Sequence, residues 1–216
     1  MNRLKQIYRR RFEKDIEFRK NMWKFLCDHF LQKYIQKEST VLDVAAGYCE
    51  FINNIRARKK IALDYNPDIK KFAENNVKVI ISNSTKMKKL NNNCINVVFT
   101  SNFFEHLTKE DIVKTIMEIH RVLKKDGKFL IIQPNIRFCY RDYWMFFDHI
   151  TPLDDRSLSE VLELNGFKII EIKSKFLPYT TKSKLPKSIF LFKLYLKIPI
   201  IQKIMGKQLF IYAKKV

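Results

Sequence analysis

Residues 41–51 read V-L-D-V-A-A-G-Y-C-E-F, an apolar run that passes through small residues into a helix start. Asp64 then closes a second apolar run, I-A-L-D, 21 residues after Asp43. A strand, a tight turn, a helix and a second strand ending on a carboxylate make a βαβ unit of the kind that cradles a nucleoside. The small residues Ala45, Ala46 and Gly47 let backbone come close to a ligand, and a carboxylate at the next strand end can accept both hydroxyls of a ribose. Ala45 and Cys49 stand where glycines are usual in such a turn, so the rest of the chain has to say which nucleoside is meant.

The elements around this unit alternate. Strand patterns fall at 40–44, 60–64, 77–81, 95–101 and 128–133. Between the last two, Thr108 followed by Asp111 opens a helix that runs through Leu123, with Gly127 near its exit. Strands separated by helices predict a parallel sheet covered on both faces, with ligands at the carboxyl ends of the strands. Ahead of it, residues 3–36 contain no Pro or Gly and place apolar residues at helical spacings, which predicts one or two helices. Beyond Gln133 the pattern changes to an aromatic loop over 134–153, a helix from about Arg156 to Asn165 capped by Gly166, a strand at 167–172, an apolar and basic stretch at 187–205, and a last strand at 208–213.

Composition narrows the class. With 216 residues and 46% hydrophobic content the chain supports one sizeable core. Cys27, Cys49, Cys94 and Cys139 lie far apart, and the four histidines add no metal-ligand spacing to them. Neither a metal centre nor a disulfide framework is therefore expected, and a reducing cytoplasm fits. The basic N-terminus is followed by Glu13, Asp15 and Glu17 with no apolar stretch, so it reads as the first helix. The formal net charge of +20 would concentrate any polyanion, RNA or anionic membrane alike. The lysines are dispersed, however, and no basic stripe interleaved with aromatic residues marks a nucleic-acid track.

Four blocks in order, V-L-D-V-A-A-G-Y-C-E-F, I-A-L-D-Y-N-P, V-V-F-T-S-N-F-F-E-H-L and E-I-H-R-V-L-K-K-D-G-K-F-L-I-I-Q-P-N, resemble the class I S-adenosylmethionine-dependent methyltransferases over roughly residues 38–175. Nicotinamide-binding domains share the first two blocks but have no reason to carry the last two. The resemblance implies an α/β fold: a Rossmann-like, doubly wound, seven-stranded, mostly parallel sheet with an N-terminal helical extension. It implies one domain over 1–216, with a helical cap at 1–37, a cofactor-binding core at 38–135, and a substrate-side loop, amphipathic insert and last strands at 136–216. Y-W-M-F-F-D-H-I-T-P-L, S-L-S-E-V-L-E-L-N-G-F and L-P-Y-T-T-K-S-K-L-P-K-S are further similar to a bacterial subgroup that accompanies saccharide or prenyl-linked glycan biosynthesis.

Carried onto this sequence, the resemblance implies S-adenosyl-L-methionine as cofactor. Asp43 and the turn Ala45, Ala46, Gly47 would hold its methionine end, Asp64 its ribose diol and Tyr65 the adenine face. Asn83 and Ser84 would stand near the adenine amine, and Asn102 would face the methionine moiety or the acceptor. Methyl transfer to a hydroxyl needs an aligned acceptor and a proton acceptor. His149, in the D-H-I-T-P segment where this fold receives substrate, is the first candidate base, and Glu105 the second. His106 reads as a fastening of the loop after strand four. Tyr143 and Trp144 carry polar groups on large rings and suit an acceptor wall. Arg137 and Arg141 suit a phosphate or carboxylate on the acceptor, and solvated loop arginines are the plain alternative.

The expected acceptor is a small molecule, a saccharide or a lipid-linked glycan, methylated at oxygen by a monomer or homodimer in the cytoplasm. Residues 187–205 are too charged and too broken to span a bilayer. They could lie in a membrane interface with their lysines toward anionic lipid, or pack against the sheet or a second subunit. An RNA methyltransferase, suggested by the charge, and a non-catalytic cofactor-binding, membrane-associated protein, suggested by the altered turn, are the competing readings.

Overall fold

The computed structural model describes residues 16–179 and 188–216. The first part of the expected N-terminal helical cap and most of the L-P-Y-T-T-K-S-K-L-P-K-S segment lie outside them.

Seven strands form one sheet: β1 Thr40–Val44, β2 Lys59–Asp64, β3 Val77–Ile81, β4 Ile95–Ser101, β5 Leu123–Pro134, β6 Phe167–Leu177 and β7 Gln208–Lys215, in the order β3-β2-β1-β4-β5-β7-β6. The first five run parallel, and β7 inserts antiparallel between β5 and β6. The order reverses between β1 and β4, where Asp43 pairs with Ala62 on one side and Phe99 on the other. A crevice therefore opens at the carboxyl ends of these two strands.

The helices are α1 Ile16–His29, α2 Glu50–Asn54, α3 Lys109–Val122, α4 Ile136–Tyr143, α5 Asp155–Leu164, α6 Ile189–Lys197 and α7 Pro199–Met205. The central strands are buried on both faces, and their side chains alternate between two cores. Val41, Val97, Phe99, Leu130 and Ile132 pack on one side with Trp23 and Leu26 of α1 and Phe51 of α2. Leu42, Val44, Val98, Phe129 and Ile131 pack on the other with Ile112, Ile116 and Ile119 of α3 and Leu158 and Leu162 of α5. The period of two in the strands thus meets the 3.6-residue period of the helices on either side.

Local signals position these elements. Thr108 caps α3 by accepting the Asp111 amide, and Asp154 and Ser157 close a capping box on α5. Gly166 ends α5 at φ +80, and a Cβ there would lie 2.8 Å from His120 Nε2. One expectation is corrected: the segment after β5 is not loop throughout, because Asn135 accepts the Arg137 amide and opens α4. Cys139 and Tyr143, one helical turn apart, are the buried side of that helix.

Candidate active site

Three residues of the turn after β1 lie in the left-handed region, Ala45 at φ 59, Gly47 at φ 50 and Cys49 at φ 59. Only Gly47 adopts it freely; each of the other two holds strain of about 1–3 kcal/mol. The turn is tied down by Ala46 N donating to Leu63 O (3.2 Å), Cys49 N to Ala46 O (2.7 Å) and Gly47 N to Asp64 Oδ2 (3.0 Å). Asp64 also takes the Asn66 amide on Oδ1 at 2.8 Å. Alanine and cysteine therefore stand where glycines are usual without loss of the bend, because the neighbouring backbone holds its shape.

A cavity of about 480 Å3 opens over this turn. Its polar end is lined by Asp43, Glu50, Asn102, Glu105, His106 and His149. Burial, then the nearby Asp64 carboxylate, pushes Asp43 well above the ordinary carboxylate range, against the lowering pull of the Ile52 amide. Asp64 is raised too, chiefly by burial. Burial also pushes the Cys49 thiol up to about 12, with Asp43 and Asp64 adding to it. A cation would relieve this concentration of carboxylates.

The far wall of the polar end is built from two loops. Asn102 sits at φ 48 after β4, with its amide donating to Ile132 O at 2.9 Å. The buried Glu105 accepts Gln133 Nε2 at 2.7 Å, and its backbone carbonyl takes the amides of Ile150 (2.7 Å) and Thr151 (3.2 Å). That double bond pins the D-H-I-T-P segment against the loop after β4. His106 Nδ1 meets Asp148 O at 3.0 Å, so the plain fastening role is visible in the geometry. The His149 ring lies 5.1 Å from that of His106, 4.6 Å from Tyr143 and 5.1 Å from Phe146. Polar atoms of Glu105, His106 and His149 all fall within 4.8 Å of one another. Burial raises Glu105 above the usual carboxylate range, with His106 and Gln133 opposing. Residues 43 apart in sequence thus share one corner of the cavity.

Other residues singled out from the sequence sit elsewhere. Asp64 is not among the residues that line the cavity. Tyr65 is 67% exposed beyond it. Ser84 is buried with its hydroxyl 2.9 Å from that of Thr115, and Asn83 Oδ1 accepts the Thr85 amide. Arg137, Arg141, Tyr143 and Trp144 are not brought to the cavity as the described residues form it. Arg137 pairs with Asp155 at 2.9 Å, Arg141 Nε donates to Tyr140 Oη, Tyr143 is fully buried and donates to Thr151 O, and Trp144 is exposed. These four sit on or just after α4, whose buried side packs inward; of the same aromatic segment, Phe146 and His149 do line the cavity.

The rest of the wall comes largely from the N-terminal helical cap and the amphipathic insert, the segments expected to cover the cofactor and acceptor sides, through side chains not singled out as site residues. Arg19 of α1 reaches the cavity and grips Glu50 at the head of α2, with Nε to Oε1 at 2.9 Å. Met22 and Leu26 of α1, and Leu191, Leu194 and Tyr195 of α6, form the apolar half. The helical stripe of α1 was legible, but a pair spanning 31 residues leaves no local trace.

Residues 42–131 match the family model described as Methyltransferase domain. No curated protein sequence matches the chain. Among solved structures, a SAM-dependent methyltransferase from Archaeoglobus fulgidus superposes with TM-score 0.71 at 24% identity, over 94% of this chain and 99% of that one. The complex of the Haloferax volcanii Trm112 methyltransferase activator with a methyltransferase gives 0.71 at 12% identity, over 94% of each chain. Geranyl diphosphate methyltransferase in complex with SAM gives 0.64 at 13%, over 91% of this chain and 85% of that one. These likenesses establish the fold. The match over residues 42–131 is to a methyltransferase domain, which together with the fold supports an enzyme that takes S-adenosyl-L-methionine as its cofactor. The acidic, strained turn at the switch point fits a cationic nucleoside, since Asp43 is a buried carboxylate that a positive charge would ionise.

Proposed function

We propose that this enzyme methylates a hydroxyl oxygen of a small-molecule or glycan-like acceptor, in saccharide or lipid-linked form. The observation that carries the reading is the corner where Glu105, His106 and His149 converge, inside the same cavity as Asp43 and the Gly47 turn.

When bound, S-adenosylmethionine supplies a methyl group on a cationic sulfonium. Asp43 and the turn Ala45, Ala46, Gly47 would hold the methionine end, and Asp64, already accepting the Gly47 and Asn66 amides, would offer its remaining lone pairs to the ribose diol. Asn102, which lines the cavity, would face the methionine side, and the exposed Tyr65 would flank the adenine, while Asn83 and Ser84 keep their present partners. His149 would take the proton of an acceptor hydroxyl placed against it, and a base of this kind contributes about 100- to 10,000-fold. Glu105 is the reserve proton acceptor; its contact with Gln133 and its carbonyl's hold on Ile150 and Thr151 keep His149 in place. Water is excluded by the apolar half of the cavity, which strengthens the attraction between the acidic end and the sulfonium. Arg137 and Arg141 stay outside this scheme because of their present partners.

One fold neighbour is described as a geranyl diphosphate methyltransferase, which agrees with an acceptor bearing an apolar chain. Incubation with methyl-labelled cofactor and fractionated cell extract tests the proposal. Label is expected in a saccharide, in free or lipid-linked form; label confined to RNA would overturn it.

A further inference from the structure

We propose that α6 and α7 dock the enzyme on an anionic lipid bilayer, so that an acceptor with a long apolar chain enters the cavity from the membrane side. The acceptor part rests on the function proposed above; the docking does not.

The two helices are short, apolar and joined at Pro199, and they present two different faces. Phe192 and Tyr195 point inward, with Tyr195 Oη donating to Phe176 O at 2.8 Å. The outward residues are as apolar as the inward ones: Phe190 is 73% exposed, Ile200 65% and Ile204 73%. Among the described residues, α7 buries none of its own. A face that spends this much apolar surface on water lacks its partner. Lys193, Lys197 and Lys203 are exposed along the same two helices. Large apolar groups with lysines beside them suit the boundary between headgroups and acyl chains of an anionic membrane. Protein–protein interfaces are depleted of lysine, which this face carries beside its apolar groups. The helices end far short of a span, and no described helix is long and apolar enough to cross a membrane.

The same elements wall the cavity. Leu191 and Leu194 of α6 and Ile201 and Met205 of α7 line its apolar half. Leu191 and Leu194 are also 43% and 41% exposed, so one wall of side chains faces both the cavity and the outside. A chain lying in the bilayer would pass along this wall while its polar head reaches Glu105 and His149 at the other end.

Flotation of the purified protein with vesicles tests this, without cofactor or acceptor present. The protein is expected to float with vesicles of phosphatidylcholine mixed with phosphatidylglycerol and to remain largely behind with phosphatidylcholine alone. Combined Phe190→Ser, Ile200→Ser and Ile204→Ser should weaken flotation by roughly 100-fold or more, with an unchanged melting temperature because all three side chains are exposed. Each of Lys193→Gln, Lys197→Gln and Lys203→Gln should cost about fivefold on the anionic vesicles. The docking is overturned if the parent protein fails to float, or if the serine variant floats equally well. It is also overturned if light scattering shows a parent dimer that becomes monomeric in the serine variant, since the face would then belong to a second copy. Cofactor binding by calorimetry on the same preparations separates this outcome from a failure of the methyltransferase reading.

Discussion

Truncating Asp64 to alanine would remove the acceptor of two backbone amides, Gly47 N at 3.0 Å and Asn66 N at 2.8 Å. Hydrogen bonds to a charged acceptor contribute about 1.5–3 kcal/mol each. Both bonds are only partly buried, so water can recover some of the loss, and the lower figure taken twice gives about 3 kcal/mol. That sum is divided between the fold and the ligand. The strained turn at Ala45, Gly47 and Cys49 is held open by this carboxylate, and without it the turn has to be re-formed on binding. Since about 1.4 kcal/mol is a factor of ten, cofactor affinity should fall roughly 100-fold if most of the loss appears at the ligand. The chain should stay folded, because native domains carry about 5–15 kcal/mol of stability. Asp64→Asn keeps the shape and one acceptor oxygen and should fall between the two. Isothermal calorimetry with S-adenosylmethionine and its demethylated product, together with thermal melts, measures both parts. An Asp64→Ala protein that bound both ligands with unchanged affinity would refute the idea that the carboxylate shapes this cleft.

Four further outcomes follow from the geometry. His149→Ala should lower turnover by about 100- to 10,000-fold with little change in cofactor affinity, as seen by steady-state kinetics beside calorimetry; intact turnover would remove His149 as the base. A chelator should leave turnover unchanged, because Glu105, His106 and His149 are assigned to proton transfer and positioning; loss of activity restored by a divalent metal would reassign that corner. Asp43 holds its proton in the folded state above its ordinary value of 3.8, so the folded chain binds more protons than the unfolded one in the window above that value. Cofactor-free stability should therefore fall as pH rises through the window, while affinity for the cationic cofactor rises. Asp43→Asn should flatten both trends in melts and titrations across acidic to neutral pH. Gly166→Ala places a methyl group at φ +80, 2.8 Å from His120 Nε2, and should cost about 2 kcal/mol, a melting point lower by roughly 4–8 °C.

Much of the fold was readable in the chain because its signals are local. The strand patterns at 40–44, 77–81 and 95–101 reappear with the same limits as β1, β3 and β4, and Thr108 and Gly166 start and stop their helices where their side chains and backbone freedom demand. The α4 helix was hidden because its large rings suggested a loop, although Cys139 and Tyr143 already stood one turn apart.

The site divides along the same line. Strand periodicity, small turn residues and strand-end carboxylates are properties of neighbours along the chain, so the sequence alone determined the parallel sheet, the turn at Gly47 and the placing of Asp43 beside it. Which polar groups face one cavity depends on how the β4 and β5 ends and their loops pack in three dimensions. Only the tertiary structure decided that Glu105 and His149 meet, that Arg137 goes to Asp155 and not to the cavity, and that Arg19 reaches Glu50. Packing brings together side chains with no fixed separation along the chain, and a pattern of neighbours carries no record of those meetings.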